Sequence, residues 1–158
     1  MKIVQGDLLQ LAYDGEFDVI IHGCNCFNIM GGGIAYQISD RFPMAKYVDN
    51  LTVCGSREKL GMYTTSIYHN INKIPFVIVN AYTQYHGGCD VNYRAIVLVM
   101  NKIKMMFGDC RIGYPKIGAG IAGGDWNIIS KIINRELSGT DHTLVEYTQP
   151  AITFSIRD

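Results

Sequence analysis

Residues 17–36 combine, in order, an apolar run, a polar run, three glycines and the start of a helical pattern. The apolar run at 17–21 predicts a buried strand of that length, and the pattern at 34–42 predicts a helix. Between them lie HGCNC at 22–26 and GGG at 31–33. A glycine loop between a strand and a helix leaves backbone N–H groups open to an anion. This stretch therefore predicts a site for a phosphorylated small molecule, with polar side chains beside it.

The rest of the chain alternates between strand patterns and helix patterns. Further strands are predicted at 1–4, 62–68, 76–79, 111–114 and 143–147, and further helices at 6–9, 45–53, 93–106 and 126–137. Connections are short and no linker or repeat interrupts the chain, so we expect one domain spanning residues 1–158. The order is typical of an α/β fold, a three-layer α/β/α sandwich with a central mixed, largely parallel sheet. Ligands of such sheets lie at the carboxyl ends of strands, here the loops after Ile21, Val79 and Tyr114.

The charge balance and the cysteine count exclude several classes of protein. Lys and Arg number 14, as do Asp and Glu, so the net charge of zero gives no support to nucleic-acid binding. No apolar run is long enough to span a membrane, and no signal peptide is recognisable. Five cysteines form no disulfide framework, which favours reduced thiols. We expect a cytoplasmic monomer with neither a membrane nor a nucleic-acid partner.

A second glycine-rich stretch, PKIGAGIAGGDW at 115–126, also follows a predicted strand and begins a predicted helix. Two such loops in one small domain suit a diphosphate held between them. Neither loop has the Gly-Lys-Ser/Thr of a P-loop, and GGG at 31–33 lacks the dinucleotide spacing of a Rossmann fingerprint. The spacing therefore disfavours a dinucleotide-dependent dehydrogenase.

These motifs resemble, in the same order, those of the macrodomain family, whose members bind ADP-ribose. QGDL at 5–8 is similar to the family's early Gly-Asp motif, Asn25 with GGGIA at 31–35 to its first loop, and IGAGI at 117–121 to its second loop. The resemblance implies that Asp7 receives the adenine amino group and that Asn25 contacts the distal ribose. The ligand-binding residues that it implies are Asp7, Leu8, Gly31, Gly32, Gly33, Ile34, Gly118, Ala119, Gly120, Ile121, Ala122 and Tyr147.

Within the family, the chain is most similar to the ADP-ribose-1″-phosphate phosphatase branch. The motifs concerned are HGCNC at 22–26, GGGIAYQ at 31–37, GGDW at 123–126 and the ending at Tyr147. The resemblance implies a phosphatase that converts ADP-ribose-1″-phosphate to ADP-ribose and phosphate, with no metal or other cofactor. Whether water attacks phosphorus or the anomeric carbon stays open.

Two alternatives on the same fold also stay open. One is a hydrolase that removes ADP-ribose from protein or nucleic acid. Such relatives use a mid-chain lysine and an aspartate two residues after the second loop's last matching glycine, where this chain has Ala122. The other alternative is a reader that binds ADP-ribose without turnover.

His22, Asn25 and Asp125 are the catalytic candidates. A histidine with its ordinary pKa of about 6.5 exchanges protons near neutral pH, and Asp125 is its prospective partner. Asn25 would orient the ribose or a water. Each also has a structural interpretation: a satisfied interior histidine, an asparagine that braces its loop, and a helix N-cap.

The remaining polar and aromatic candidates have similar alternatives. Asp7 is also placed to cap a helix, and Tyr147 is placed either to stack on adenine or to pack in the interior. Tyr82 and Tyr85 are predicted to cover the site, with His86 and Asp90 as weaker catalytic candidates. The spacing of Cys24, Cys26, His86 and Cys89 is not that of a zinc site.

Overall fold

The structure is a computed structural model that describes residues 1–149. Its sheet has six strands in the order β1-β6-β5-β2-β4-β3. The β3–β4 pair is antiparallel, and the other neighbouring pairs are parallel. The strands are β1 (Lys2–Gly6), β2 (Val19–Cys24), β3 (Tyr63–His69), β4 (Pro75–Tyr82), β5 (Arg111–Tyr114) and β6 (Asp141–Tyr147).

Helices cover both faces of this sheet. They are α1 (Leu8–Tyr13), α2 (Gly33–Arg41), α3 (Pro43–Asn50), α4 (Tyr93–Phe107) and α5 (Trp126–Glu136), with a short 3₁₀ turn at Arg57–Lys59. Apolar residues of α1, α2 and α3 pack on the face that carries Ile20 and Ile78. Those of α4 and α5 pack on the opposite face, which carries Ile21 and Val79. The predicted three-layer sandwich with a mixed, largely parallel sheet is confirmed.

The second strand is longer at its carboxyl end than the sequence predicts. It continues beyond Ile21 to Cys24, so that His22 lies opposite Asn80 in β4 and Cys24 lies opposite Tyr82. The prediction that the loop begins at residue 22 is therefore wrong. The sheet extends through this polar stretch because β4 pairs with it. The backbone of β4 satisfies the backbone hydrogen bonds of β2, and Asn80 of β4 satisfies the His22 side chain.

The α2–α3 junction also differs from the predicted boundaries. Pro43 ends α2 as predicted, but it also begins α3, two residues earlier than the pattern indicated. A proline fits the first turn of a helix because that N–H has no intrahelical partner. The predicted bounds of α4 and α5 agree with the structure to within one residue.

Five strands run parallel to one another, so their carboxyl ends meet at one edge of the sheet. The first loop (residues 25–32) leaves β2 there, the second loop (residues 115–125) leaves β5, and the third loop (residues 83–92) leaves β4. Asp7 follows β1 at the same edge, and β6 ends there at Tyr147. This edge is the location predicted for a ligand.

Candidate functional site

Two adjoining cavities form a cleft at this edge of the sheet. The first has a volume of about 370 Å³ and the second about 540 Å³. The first cavity is lined by all three loops. The second is lined by the segment after β1, the end of β6, the first turn of α2 and part of the second loop. The residues common to both are Gly33, Ile34, Pro115, Lys116 and Gly120. Since these residues line both, the cavities are continuous with each other.

The two glycine loops approach each other across the first cavity. Gly32 is the N-cap of α2, and a Cβ added to it would lie 3.0 Å from Cδ1 of Ile121. Gly33 has φ of 57°, a left-handed conformation that glycine adopts at little cost. A larger residue at position 32 would push against Ile121, so the close approach of the loops depends on this glycine.

Backbone N–H groups around the first cavity are free to bind an anion. The first turn of α2 has no intrahelical acceptor for its N–H groups, and its N-cap offers no side chain to accept them. In the second loop the N–H groups of Gly120, Ile121 and Ala122 make no hydrogen bond within residues 1–149. Such groups, together with a helix N-terminus, favour a phosphate.

Asp7 caps α1 and also lines the second cavity. Its Oδ1 accepts from the N–H of Leu9 at 3.0 Å and of Gln10 at 3.2 Å, which caps α1. Its Oδ2 accepts no hydrogen bond within the described part of the chain, and Asp7 lines the second cavity. The cap and a ligand contact therefore use different oxygens. Tyr147 lines the same cavity and is 62% exposed, so its ring face is not covered by the core.

The predicted ligand-binding residues all lie along this cleft. Those in the first cavity are Gly31, Gly32, Gly33, Ile34, Gly118, Gly120, Ile121 and Ala122. Those in the second are Asp7, Leu8, Gly33, Ile34, Ala119, Gly120 and Tyr147. Motifs separated by more than a hundred residues in sequence are thus brought to one continuous surface.

Asn25 lies in the wall of the first cavity and also braces its own loop. Its Nδ2 donates to the Ile29 carbonyl at 2.9 Å, and its Oδ1 accepts from the Phe27 N–H at 2.9 Å. An amide has two hydrogens and two lone pairs, so one of each remains for a ligand. The two interpretations of this residue are compatible.

His22 does not reach the cleft. It points to the same face of the sheet as Ile20, below α3, where it is fully buried with Nε2 2.6 Å from Oδ1 of Asn80. Burial lowers the pKa of His22 to about 4, so the ring is neutral at pH 7. The placement supports the structural interpretation of this histidine and does not support proton exchange with a substrate.

Asp125 is likewise outside the cleft. It is the N-cap of α5, and its Oδ1 accepts from the N–H of Asn127 at 2.8 Å. It lines neither of the two cavities, and it is not in contact with His22 in any hydrogen bond of residues 1–149. Of the three catalytic candidates, only Asn25 therefore lies beside the two glycine loops.

Comparisons with known proteins agree with this geometry. The chain is 34% identical over 154 residues to an uncharacterised 17.5 kDa protein from the tk-vs intergenic region of Enterobacteria phage T4, covering 93% of this chain and 96% of the relative. It is 27% identical over 153 residues to the ADP-ribose 1″-phosphate phosphatase of Saccharomyces cerevisiae (strain YJM789), covering 77% and 84%. No protein-family model matches the chain.

Solved macrodomain structures share the fold. The macrodomain of Mycobacterium tuberculosis DarG superimposes with a TM-score of 0.72 at 19% identity, covering 94% of this chain and 97% of the other. Thermosipho africanus DarTG in complex with ADP-ribose gives 0.68 at 16% identity, covering 93% and 41%. The chain has the macrodomain fold.

Lys116 is a cleft residue that was not among the site residues predicted from the sequence. It is the one Lys, Arg or His among the described residues that line the two cavities. Its Nζ lies 3.9 Å from Oε1 of Glu146, whose Oε2 accepts from Nε2 of Gln5 at 2.8 Å. Its position inside the second glycine-rich stretch was the available signal, because a lysine beside a phosphate loop often binds phosphate.

Two lysines below the first loop hold that loop in shape. Lys59 is buried and its Nζ donates to the Cys26 carbonyl at 3.1 Å and to Oδ1 of Asn28 at 2.6 Å. Nζ of Lys46 donates to the Asn28 carbonyl. Asn28 has φ of 57°, so these contacts stabilise a left-handed residue at the loop's turn.

The two tyrosines predicted to cover the site do not do so. Tyr82 is buried within β4 and donates to Oδ1 of Asp49 at 2.8 Å, and burial raises the pKa of its hydroxyl. Tyr85 packs against Phe27 and donates to the Gly55 carbonyl at 2.7 Å. Neither lines the two cavities. Alternation along β4 sends Tyr82 to the α3 side, away from the open edge.

Two further findings concern residues 1–149 as a whole. No cluster of three or more His, Cys, Asp or Glu residues is placed to hold a metal ion in that range. No helix there is both long enough and apolar enough to cross a membrane.

Proposed function

We propose that this macrodomain hydrolyses ADP-ribose-1″-phosphate to ADP-ribose and phosphate. The observation that carries the proposal is the close approach of the two glycine loops across the first cavity, with Lys116 among the residues that line both cavities. The relative from S. cerevisiae that bears the name of this activity supports it. In this proposal the chain acts in the cytoplasm as a monomeric single domain, without a metal.

The cleft suggests how ADP-ribose would lie. Adenine would occupy the second cavity, with its amino group at Oδ2 of Asp7 and its ring against Tyr147. The diphosphate would lie at the shared part of the cleft, on the N–H groups of α2 and the second loop. The distal ribose would then enter the first cavity near Asn25.

The first cavity lacks the side chains of an ordinary acid–base mechanism. None of the described residues that line it is Asp, Glu or His. Cys24 lines it, but burial holds the pKa of this thiol well above its usual range, so it stays a thiol at neutral pH. Catalysis would depend on positioning and on backbone N–H groups that stabilise developing negative charge.

This lining favours attack at the anomeric carbon. In that route the bond from C1″ to the phosphate oxygen breaks and the electron pair leaves with the phosphate, which is already a stable anion. Water oxygen bonds to C1″ through an oxocarbenium-like transition state, and its proton passes to the departing phosphate. No protein acid is required. Attack at phosphorus would instead expel a sugar oxygen that needs a proton donor, and the described lining offers no Asp, Glu or His for that step.

The test is phosphate release from ADP-ribose-1″-phosphate in ¹⁸O-water with a metal chelator present. We expect turnover with the label in ADP-ribose. Label in phosphate would overturn the route through the anomeric carbon but leave the activity. His22→Gln serves as the control, because the buried ring lines neither cavity and, among the described residues, touches the lining only at Cys24 Sγ, 3.6 Å from Nε2, so its loss should leave turnover within a few-fold of wild type.

The second candidate is a reader of ADP-ribose, which the same absence of acid and base side chains in the first cavity favours. It predicts binding of ADP-ribose by calorimetry with no phosphate release from the 1″-phosphate. Removal of ADP-ribose from protein or nucleic acid is less favoured, since Ala122 offers no carboxylate.

A further inference from the structure

The third loop carries a glycine pair at one end of the cleft. Gln84, Gly87 and Gly88 line the first cavity and not the second, so this loop lies beyond the shared part of the cleft, away from Asp7. A Cβ on Gly87 would lie 3.7 Å from Nδ2 of Asn25. The glycine pair is therefore next to the residue assigned to the distal ribose.

The third loop is held in one shape by side chains of its own. Nε2 of Gln84 donates to the carbonyls of His86 at 2.8 Å and Gly88 at 3.0 Å. Oδ2 of Asp90 accepts from the His86 N–H at 2.7 Å. Because the His86 carbonyl and the Gly87 N–H belong to one planar trans peptide, they point in opposite directions. Binding that carbonyl to Gln84 thus turns the Gly87 N–H away from Gln84.

The N–H groups of Gly87 and Gly88 have no acceptor in the described part of the chain. Neither Gly87 nor Gly88 donates a backbone hydrogen bond within residues 1–149. The loop is also tied to the first loop, since the Cys26 N–H donates to the Tyr85 carbonyl at 2.9 Å. A braced pair of free donors beside the first loop is suited to an anion.

Thr83, the first residue of the loop, has an unpaired hydroxyl behind the wall of the first cavity at Gly23. Its side chain is fully buried, and Oγ1 has no hydrogen-bond partner in the described part of the chain. Gly23 lines the first cavity, and a Cβ on it would lie only 2.7 Å from this Oγ1. A buried hydroxyl without a partner is costly, so the arrangement needs a water or a ligand oxygen.

We infer that Thr83, Gly87 and Gly88 form a subsite for the phosphate on C1″, with Gln84 as a positioning residue that holds its shape. The inference rests on the proposed function, because it assumes ADP-ribose with its distal ribose at Asn25. It adds a place where ADP-ribose-1″-phosphate is distinguished from ADP-ribose. The subsite is neutral apart from its N–H and O–H dipoles, so it binds the phosphate by hydrogen bonds and lets the product depart.

The test compares the affinities for the two ligands in matched variants. Gly88 and Gly139 have φ of 78° and 81°, and neither has an atom within 4 Å of an added Cβ. Gly88→Ala and Gly139→Ala therefore carry the same backbone strain, but only the first places a methyl group in the cavity. Gln84→Met and Thr83→Val remove the bracing amide and the hydroxyl at nearly constant volume.

We expect wild type to bind ADP-ribose-1″-phosphate at least tenfold more tightly than ADP-ribose, by calorimetry under conditions that prevent turnover. This ratio should fall about tenfold or more in Gly88→Ala, Gln84→Met and Thr83→Val, while Gly139→Ala keeps it. A purely structural defect would weaken both ligands together and leave the ratio unchanged, which would overturn the subsite. If wild type shows the ratio without releasing phosphate, the subsite stands and the proposed phosphatase activity fails.

Discussion

Replacing Lys116 by methionine tests how the cleft binds a diphosphate. Lys116 is the one cation among the described residues lining both cavities, and its ammonium currently lies 3.9 Å from Oε1 of Glu146. The side chains of this pair are 50% and 35% exposed. An ion pair at such exposure contributes about 0–1 kcal/mol, so the ammonium is readily transferred to a ligand.

The expected size follows from the charge and its exposure. Two unit charges at about 4 Å interact by about 1 kcal/mol in water and about 4 kcal/mol near a protein surface. Half exposure places Lys116 toward the lower value, and the lost pair with Glu146 reduces it further. A net loss of about 1–2 kcal/mol corresponds to a Kd for ADP-ribose that is about 5- to 30-fold weaker.

Calorimetry with ADP-ribose and with adenosine separates this effect from a general defect. Lys116→Met should weaken ADP-ribose binding and leave adenosine binding unchanged, because adenosine has no phosphate. Glu146→Gln is the control of opposite sign: it removes the competing carboxylate, so ADP-ribose should bind as tightly as before or a few-fold more tightly. Wild-type affinity for ADP-ribose in Lys116→Met, or an equal loss for adenosine, would refute the electrostatic role.

Three further predictions separate structural from functional roles. Asp7→Asn keeps an acceptor for the α1 cap but replaces one oxygen by a donor, so stability should hold while calorimetry shows ADP-ribose binding about tenfold weaker; unchanged binding would contradict the adenine contact. Asp125→Ala should lower the free energy of unfolding by about 1 kcal/mol in urea titrations without changing turnover, and a large loss of turnover would restore it as a catalytic residue. Burial lowers the pKa of His22 from 6.5 to about 4, so the unfolded chain binds the extra proton between these values and stability falls as pH falls, by up to about 3 kcal/mol at pH 4. His22→Gln should flatten this dependence in denaturation measured across that range, and an unaltered profile would show that another group causes it.

Much of the site was predictable because its signals are local. Both glycine loops, Asp7 before α1 and the end of β6 at Tyr147 were recognisable from short stretches of sequence, and all of them line the cleft. A glycine run between a strand and a helix has the same backbone consequence in many folds, so its role does not depend on distant residues.

The misplaced residues depend on contacts between distant segments. His22 was predicted at a strand end because it is polar, yet Asn80, 58 positions away, satisfies its ring inside the sheet. The approach of Lys116 to Glu146 and that of Gly87 to Asn25 likewise join segments that are distant in sequence. No local pattern contains these pairs, because strand pairing and loop packing create them.

The sequence by itself determined the order of strands and helices, the three-layer architecture and the two loops that line the cleft, since periodicity, glycine runs and helix caps act within a few residues. The tertiary structure alone decided which polar side chains face the cleft. In a strand, a shift of one residue reverses the face to which each side chain points, and the strand's end depends on its partner. The pairing of β2 with β4 therefore sends His22 under α3 and leaves Asn25, the first residue beyond the strand, at the open edge of the cleft.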